Sequence, residues 1–146
     1  MRVDFYHLTL QPLDHVLSRV AERIVTDGGR LLIVAGDASV RARLDQILWV
    51  QPPESFLPHA QAGGEYDACQ PVLIAGTPEA ANGARNIAFA DGLWREEGLA
   101  FDRVFHFFDE ERILEARVAW KALADRDGIE RHYWKQNDGG GWVQAS

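Results

Sequence analysis

The sequence lacks several features that mark particular classes of protein. It has one cysteine, Cys69, among 146 residues, so an internal disulfide is impossible and a secreted disulfide scaffold is disfavoured. No run approaches the roughly 18 apolar residues that a membrane-spanning helix needs. Asp4 and a strand-like pattern stand where a signal peptide would carry an apolar run. We therefore expect a cytoplasmic protein that has no contact with a membrane.

Positive charge is also scarce. Fifteen lysines and arginines stand against 22 aspartates and glutamates, which gives a net charge of −7. Proteins that bind nucleic acid through its phosphates usually show a basic surface, because released counterions supply much of the affinity. We expect any link to DNA to run through a protein partner or through a local basic patch.

A phosphate-binding loop is missing as well. The turn at residues 36–39 reads Gly-Asp-Ala-Ser, without the Gly-Lys-Ser/Thr of a P-loop or the three glycines of a dinucleotide fingerprint. Asp37 would place a carboxylate where a phosphate should lie, at the amino end of a helix. A capping role is the better prediction for Asp37.

Metal-binding and catalytic patterns are absent too. The histidines show no ligand spacing with each other or with Cys69, and Ser55 lies outside a Gly-x-Ser-x-Gly motif. His106 alternates with phenylalanines and is expected to be a satisfied core or surface histidine. We predict no catalytic residue, no metal and no cofactor.

What the sequence does contain is an alternation of strand-like and helix-like segments. Its 47% hydrophobic residues and its length suit one globular domain over residues 1–146. Strands are predicted at residues 3–8, 31–35, 72–75, 87–89 and 104–108. Helices are predicted from Pro12 to Gly28, from Ser39 to Val50, and from Glu110 to Asp127, capped by Asp109. Residues 93–98 form a short helical turn or a loop, and residues 132–146 an aromatic, glycine-rich C-terminal tail. This order predicts an α/β fold, a single-domain, three-layer α/β/α sandwich on a mostly parallel (mixed) sheet, Rossmann-like.

The stretch from Leu44 to His59 starts as a helix and ends as a stiff connector. Two successive prolines at positions 52 and 53 end the helix by about Val50. Trp49 lies at the edge of its apolar face, and Phe56 follows between prolines. Either these aromatics cover the open end of the core, or they are displayed on a stiff loop that loses little entropy on binding.

The last helix places two cations beside an aromatic side chain. Arg117 and Lys121 lie one turn apart at the border of an apolar face that includes Trp120. They form either a solvated border or a receptor for an acidic peptide with an apolar end, since the guanidinium fork suits a carboxylate.

Two runs of residues resemble a known family. Residues 44–49 read Leu-Asp-Gln-Ile-Leu-Trp, and residues 53–59 read Pro-Glu-Ser-Phe-Leu-Pro-His. Together they resemble the chi subunit of bacterial DNA polymerase III, a clamp-loader accessory protein, and looser similarity extends over the whole chain. Trp120 stands where some relatives have tyrosine, and the chain after Gly128 is longer than in some of them.

This resemblance implies two binding sites for protein partners. Arg117, Trp120 and Lys121 are expected to receive the acidic C-terminal tail of single-stranded DNA-binding protein, which ends in Pro-Phe. Trp49 and Phe56 are expected to contact the psi subunit of the polymerase. The implied function is a non-catalytic adaptor between the clamp loader and coated single-stranded DNA, which would contact DNA indirectly. The alternatives are a nucleotide-binding α/β enzyme and a direct nucleic-acid-binding protein.

Overall fold

The computed structural model describes residues 1–9, 13–50, 58–136 and 141–145. The strands are β1 (Arg2–His7), β2 (Leu31–Val34), β3 (His59–Gln61), β4 (Val72–Ala75), β5 (Asn86–Phe89), β6 (Arg103–Phe108), β7 (Glu130–Gln136) and β8 (Trp142–Gln144). The helices are α1 (Leu13–Thr26), α2 (Ala38–Val50) and α3 (Ile113–Ala124), with 3-10 turns at Asp67–Cys69, Glu96–Ala100 and Glu110–Arg112. Among these described residues, no helix has the length and apolar character to cross a membrane.

One sheet holds all of these strands, in the order β3-β4-β2-β5-β6-β1-β7-β8. Neighbouring strands are parallel from β3 to β7, and β8 alone runs antiparallel to its neighbour. The predicted mostly parallel, mixed sheet is therefore confirmed.

Helices pack on both faces of this sheet. On one face, Leu17 of α1 and Leu48 of α2 are buried against Ile33. On the other face, Leu123 of α3 belongs to a second buried cluster that includes Leu32. Successive residues of β2 thus serve opposite layers, as the alternation of a strand requires. The three-layer α/β sandwich is confirmed.

The central strands are apolar throughout because both of their faces are covered. All four residues of β2 are fully buried, and so are the residues of β4. A strand that is buried on both faces has no solvent-facing position for polar residues. This is why the continuous apolar runs at 31–35 and 72–75 predicted strands correctly.

Aspartates cap two of the helical segments, as predicted. Asp37 accepts hydrogen bonds from Ser39 through its backbone N–H (2.7 Å) and its hydroxyl (2.6 Å), and these bonds lower the pKa of Asp37. Asp109 accepts from the backbone N–H of Glu111 at 3.0 Å. Both side chains satisfy N–H groups that have no partner within their own helix.

The last helical segment differs in detail from the prediction. It begins with the 3-10 turn at Glu110–Arg112, continues as α3 and ends at Ala124, before the predicted end at Asp127. Gly128 follows with a φ of 79°, the left-handed conformation that glycine adopts without strain. Residues 93–98, expected to be a helical turn or a loop, lead into the 3-10 turn at Glu96–Ala100.

The expected C-terminal tail at residues 132–146 contains two strands instead, the end of β7 and the whole of β8. β7 pairs with β1 in parallel from Glu130 to Lys135, and β8 pairs with β7. β7 was not predicted as a strand because its sequence contains many polar residues. A strand near the edge of a sheet keeps solvent-facing positions, which polar residues can occupy. The partners that complete β7 lie almost 130 residues earlier in the chain. Gly141 is described, and the rest of the expected glycine turn lies outside the described residues.

A buried carboxylate connects the three strands at this end of the sheet. Asp4 in β1 has no exposed surface. It accepts hydrogen bonds from Nε of Arg2 (3.1 Å), Nε of Arg103 in β6 (3.0 Å) and Nε1 of Trp134 in β7 (3.0 Å). A buried charge is tolerated when it is paired and hydrogen-bonded, as Asp4 is here.

His106 in β6 lies in an apolar environment. Its ring is fully buried, and the rings of Phe5 and Trp94 lie 5.1 and 5.5 Å away. Neither ring nitrogen has a hydrogen-bond partner among the described residues, so the expectation of a satisfied histidine is wrong. Burial lowers the pKa of His106 to about 3; the charge of Asp91 opposes this shift, and the charge of Arg95 adds to it.

We predict that His106 contributes to the loss of stability in acid. The unfolded chain binds a proton on His106 near pH 6.5, whereas the folded protein resists protonation down to about pH 3. The free energy of unfolding should therefore fall as pH decreases through this window, by up to about 1.4 kcal/mol per pH unit from this residue. Urea unfolding of the parent and of His106→Leu across the window measures the difference. Parallel pH profiles for the two proteins would contradict the prediction.

Candidate functional site

The solvent-facing side of α3 combines two cations with two apolar side chains. Leu114, Arg117, Val118 and Lys121 follow the i, i+3, i+4, i+7 spacing that defines one face of a helix. Leu114 is 71% exposed and Val118 is 70% exposed, and both cations are exposed as well. We call these four residues the α3 face. Large apolar side chains this exposed, next to each other and to charges, mark a candidate interaction surface.

The two cations of the α3 face are available for a ligand. Neither Arg117 nor Lys121 forms an ion pair with another residue in the described part of the chain. Arg117 acts electrostatically on Tyr133 of β7. Burial raises the pKa of Tyr133, and the guanidinium of Arg117 opposes that rise. Arg117 therefore lies beside β7, whereas Lys121 lies one turn further along the helix.

Trp120 lies at the border between α3 and β7, away from the α3 face. Its ring packs against Phe5 at 5.4 Å and Tyr133 at 5.5 Å between ring centres. Arg131 covers the ring, with Cζ 4.0 Å from the ring centre, and donates to the backbone oxygen of Trp120 at 2.6 Å. Trp120 is half-buried, and it joins the core to the cationic surface.

Sequence reasoning missed three members of this surface. Leu114 and Val118 were overlooked because the helix was analysed for its buried side, and their common spacing on the opposite side was the available signal. Arg131 was overlooked because no strand was predicted between the last helix and the expected tail at residues 132–146. Its position over Trp120 depends on the pairing of β7 with β1, which no local pattern shows.

Trp49 is displayed at the end of α2. Its side chain is 54% exposed, whereas Leu48 beside it is 1% exposed. The rings of Trp49 and His59 meet edge to face, with their centres 4.8 Å apart. The fully buried His59 ring is placed by Asp45, whose backbone oxygen lies 3.1 Å from Nε2 and whose carboxylate lies 3.2 Å away. Phe56, the second predicted residue of this site, lies outside the described residues.

A cavity of about 1050 Å³ opens at the carboxyl ends of β1, β2, β5 and β6. Nucleotides bind at this position in many α/β folds. Here the cavity carries five carboxylates and two arginines. The carboxylates are Asp14, Asp37, Asp91, Asp109 and Glu111.

Backbone donors that would serve a phosphate in this cavity are already used. Gly36 N–H donates to Asp91 at 3.0 Å, and Ser39 N–H donates to Asp37. Burial alone would raise the pKa of Asp91, but the bonds from Arg95 and Gly36 lower it overall. A carboxylate held in its charged form repels a phosphate, so the cavity is poorly suited to a nucleotide.

The described residues contain no cluster of three or more histidine, cysteine, aspartate or glutamate side chains with the geometry of a metal site. Cys69 is exposed at the end of the short 3-10 turn Asp67–Cys69. The predicted site residues thus separate into two surfaces: Arg117, Lys121 and Trp120 at α3, and Trp49 at the end of α2.

Comparison with known proteins identifies the family. The family model described as DNA polymerase III chi subunit, HolC, matches residues 1–130. The chain belongs to the DNA polymerase III chi subunit family. It is 32% identical to DNA polymerase III subunit chi of Escherichia coli (strain K12), in an alignment that covers 77% of this chain and 79% of that protein. The chi family assigns the chain to DNA replication as a subunit of a polymerase complex.

We predict that Trp49 and Leu48 differ sharply in their effect on stability. Trp49→Ala should change the free energy of unfolding by about 1 kcal/mol or less, because about half of the side chain is already in solvent. Leu48→Ala should cost about 2–5 kcal/mol, because it empties a buried position. Urea unfolding of both variants makes the comparison. If Trp49→Ala destabilises as much as Leu48→Ala, Trp49 is a core residue.

Proposed function

We propose that this chain is a non-catalytic adaptor of DNA polymerase III, which links the clamp loader to single-stranded DNA-binding protein. In this proposal the C-terminal tail of single-stranded DNA-binding protein docks at Arg117, Lys121 and Trp120. The psi subunit docks at Trp49 and Phe56. The protein acts in the cytoplasm and contacts DNA indirectly through these partners. The observation that carries the proposal is the pair of exposed cations on the α3 face, neither of which forms an ion pair within the described ranges of the chain.

The charge pattern of α3 supports an acidic ligand. Arg117 and Lys121 are exposed and have no ion-pair partner in the described part of the chain, so a peptide carboxylate displaces only water from them. Glu115, the nearest preceding acid in sequence, is paired with Arg112 at 3.2 Å. A guanidinium can donate two parallel bonds to one carboxylate, which gives Arg117 the larger share of the recognition.

Apolar surface lies on both sides of these cations. Trp120, which is half-buried, lies on the side toward β7, and Leu114 and Val118 offer exposed aliphatic groups on the other side. The terminal phenylalanine of an acidic tail therefore finds an apolar contact within one helical turn of either cation. We assign it to Trp120, where the ring is already held by Tyr133 and Arg131.

The exposure of Trp49 supports the psi site. Trp49 is about half exposed, and its ring packs against the buried ring of His59. A large aromatic side chain held in this way resembles the anchors that dominate protein interfaces. Fixing the ring in advance lowers the entropy cost of binding. The nucleotide-binding alternative is disfavoured by the carboxylates in the cavity at the carboxyl ends of the strands.

We predict that binding of an acidic peptide ending in Pro-Phe depends on Arg117 more than on Lys121. Arg117→Ala should lose about 1.5–3 kcal/mol, the range of a charge-assisted hydrogen bond, and Lys121→Ala should lose less. Arg117→Lys should also lose affinity, because it keeps the charge and loses the fork. Titration calorimetry at low and high salt measures each variant. The charged component should weaken with salt, because exposed charges are screened over about 8 Å at physiological ionic strength.

The matched control is Arg126→Ala, an exposed arginine beyond the end of α3 that pairs with Glu96 at 3.0 Å. It removes the same charge from the same region and should bind the peptide like the parent. Equal losses in Arg117→Ala and Arg126→Ala would show that the contact is only diffuse charge. Parent-like binding by Arg117→Ala would place the peptide elsewhere.

We predict that Trp49→Ala weakens binding to psi while the protein stays folded. Truncation of an interface anchor typically costs about 2 kcal/mol or more. Tyr66→Ala is the control, because Tyr66 is also a highly exposed aromatic and lies on a different segment. Affinities for purified psi from surface plasmon resonance make the comparison. Unchanged affinity in Trp49→Ala would refute the assignment of this surface to psi.

A further inference from the structure

Part of the sheet face opposite α3 carries aromatic side chains without a covering helix in the described part of the chain. On this side, α1 and α2 bury residues of β2, β4, β5 and β6, and Tyr6 and Trp142 pack as partly buried side chains against the border of that cluster. Tyr6 of β1, Trp134 of β7 and Trp142 of β8 are half-buried there. We call these three residues the aromatic strip.

The three rings of the aromatic strip lie next to one another. The rings of Tyr6 and Trp134 are nearly parallel, with centres 6.4 Å apart and an angle of 15° between their planes. Trp142 meets Tyr6 edge-on at 5.2 Å. Neighbouring aromatic rings on a sheet surface form the platform on which proteins stack unpaired bases.

Two arginines flank the strip at the amino ends of β1 and β6. Arg2 and Arg103 are 38% and 37% exposed, and both hold the buried Asp4 through Nε. Within the described residues, Arg103 uses neither Nη group in a hydrogen bond, and Arg2 leaves Nη1 unused. The carboxylate of Asp4 is buried between these two arginines. The exposed parts of the two guanidinium groups therefore present positive charge to the solvent.

A third arginine approaches the strip from α1. Asp14 pairs with Arg43 of α2 at 3.3 Å and so marks the side of α1 that faces α2. Arg23 is nine residues later, which places it about 180° around the helix, on the side away from α2. Its charge acts on the Tyr6 hydroxyl, as do the charges of Arg2 and Arg103.

Two carboxylates at the surface lie near these three arginines. Glu130 at the start of β7 acts electrostatically on Arg2, and Glu22 precedes Arg23 in α1. Asp4 is buried and enclosed by its hydrogen bonds, so the arginines outnumber the carboxylates that reach the surface here. The strip is therefore a local basic and aromatic surface on a protein whose net charge is −7.

We propose that this surface binds single-stranded nucleic acid directly. Bases stack on Trp134 and Trp142, and phosphates contact Arg2, Arg23 and Arg103. A duplex is excluded, because its bases are already stacked on one another and cannot reach the rings. The negative net charge keeps the affinity low and sensitive to salt. This site lies on the opposite side of the sheet from α3 and does not depend on the proposed tail-binding function.

The test is fluorescence anisotropy of labelled oligo-dT and oligo-rU strands of about 15 nucleotides, the upper end of known single-strand site sizes. With three phosphate contacts, log K should fall with log salt with a slope of about −2. Trp142→Ala should weaken binding about fivefold or more, as loss of one stacked base requires. Arg23→Ala should make the salt slope shallower by about 0.7. Equal binding of dT and rU is expected, because neither stacking nor phosphate contact reads the sugar.

The matched control is Arg43→Ala, which removes one exposed arginine from the α2 side of the same helical layer and should leave the slope unchanged. Circular dichroism checks that Trp142→Ala is folded. If Trp142→Ala is unfolded, the change of salt slope in Arg23→Ala still tests the proposal. Absence of saturable binding at low salt overturns the proposal. So does equal affinity for a duplex hairpin, equal competition by polyglutamate, or a slope that changes as much in Arg43→Ala as in Arg23→Ala.

Discussion

The hydrogen bonds of Asp4 are the interaction on which this end of the molecule depends. One buried carboxylate joins β1, β6 and β7 through two arginines and a tryptophan. Losing one partner of a buried charge costs far more than losing an exposed ion pair, because the remaining charge stays desolvated. The network therefore favours one arrangement, in which β7 lies beside β1 and Trp134 lies on the same face as Asp4.

The position of β7 in turn creates both surfaces at this end of the sheet. On one side, Arg131 and Tyr133 of β7 hold the ring of Trp120 beside the α3 face. On the other side, Trp134 joins Tyr6 in the aromatic strip. Successive residues of a strand point to opposite faces of the sheet. β7 therefore contributes to the proposed site for an acidic peptide on one face and to the proposed site for nucleic acid on the other. The Trp49 surface is independent of this arrangement, since α2 and His59 position it.

Much of the fold was predictable because the decisive information was local. The buried runs of β2 and β4 are short, apolar and bounded by turns, and Asp37 and Asp109 cap helices within two residues of their own positions. Of the candidate sites, the pairing of Arg117 with Lys121 followed from helical spacing alone. The role of Trp120 was less accessible, because its ring is fixed by residues of β1 and β7 that are distant in sequence.

The sequence by itself determined the alternation of strands and helices, the chi family resemblance and the cationic side of α3, since each rests on patterns within a few residues. Only the tertiary structure decided that residues 130–136 join the sheet and that His106 is buried without a hydrogen-bond partner among the described residues. It also decided that Trp49 is displayed whereas Leu48 is covered. These outcomes depend on contacts between residues far apart in the chain. Burial and hydrogen bonding at such contacts are set by the partner segment, and no local pattern in the sequence encodes that partner.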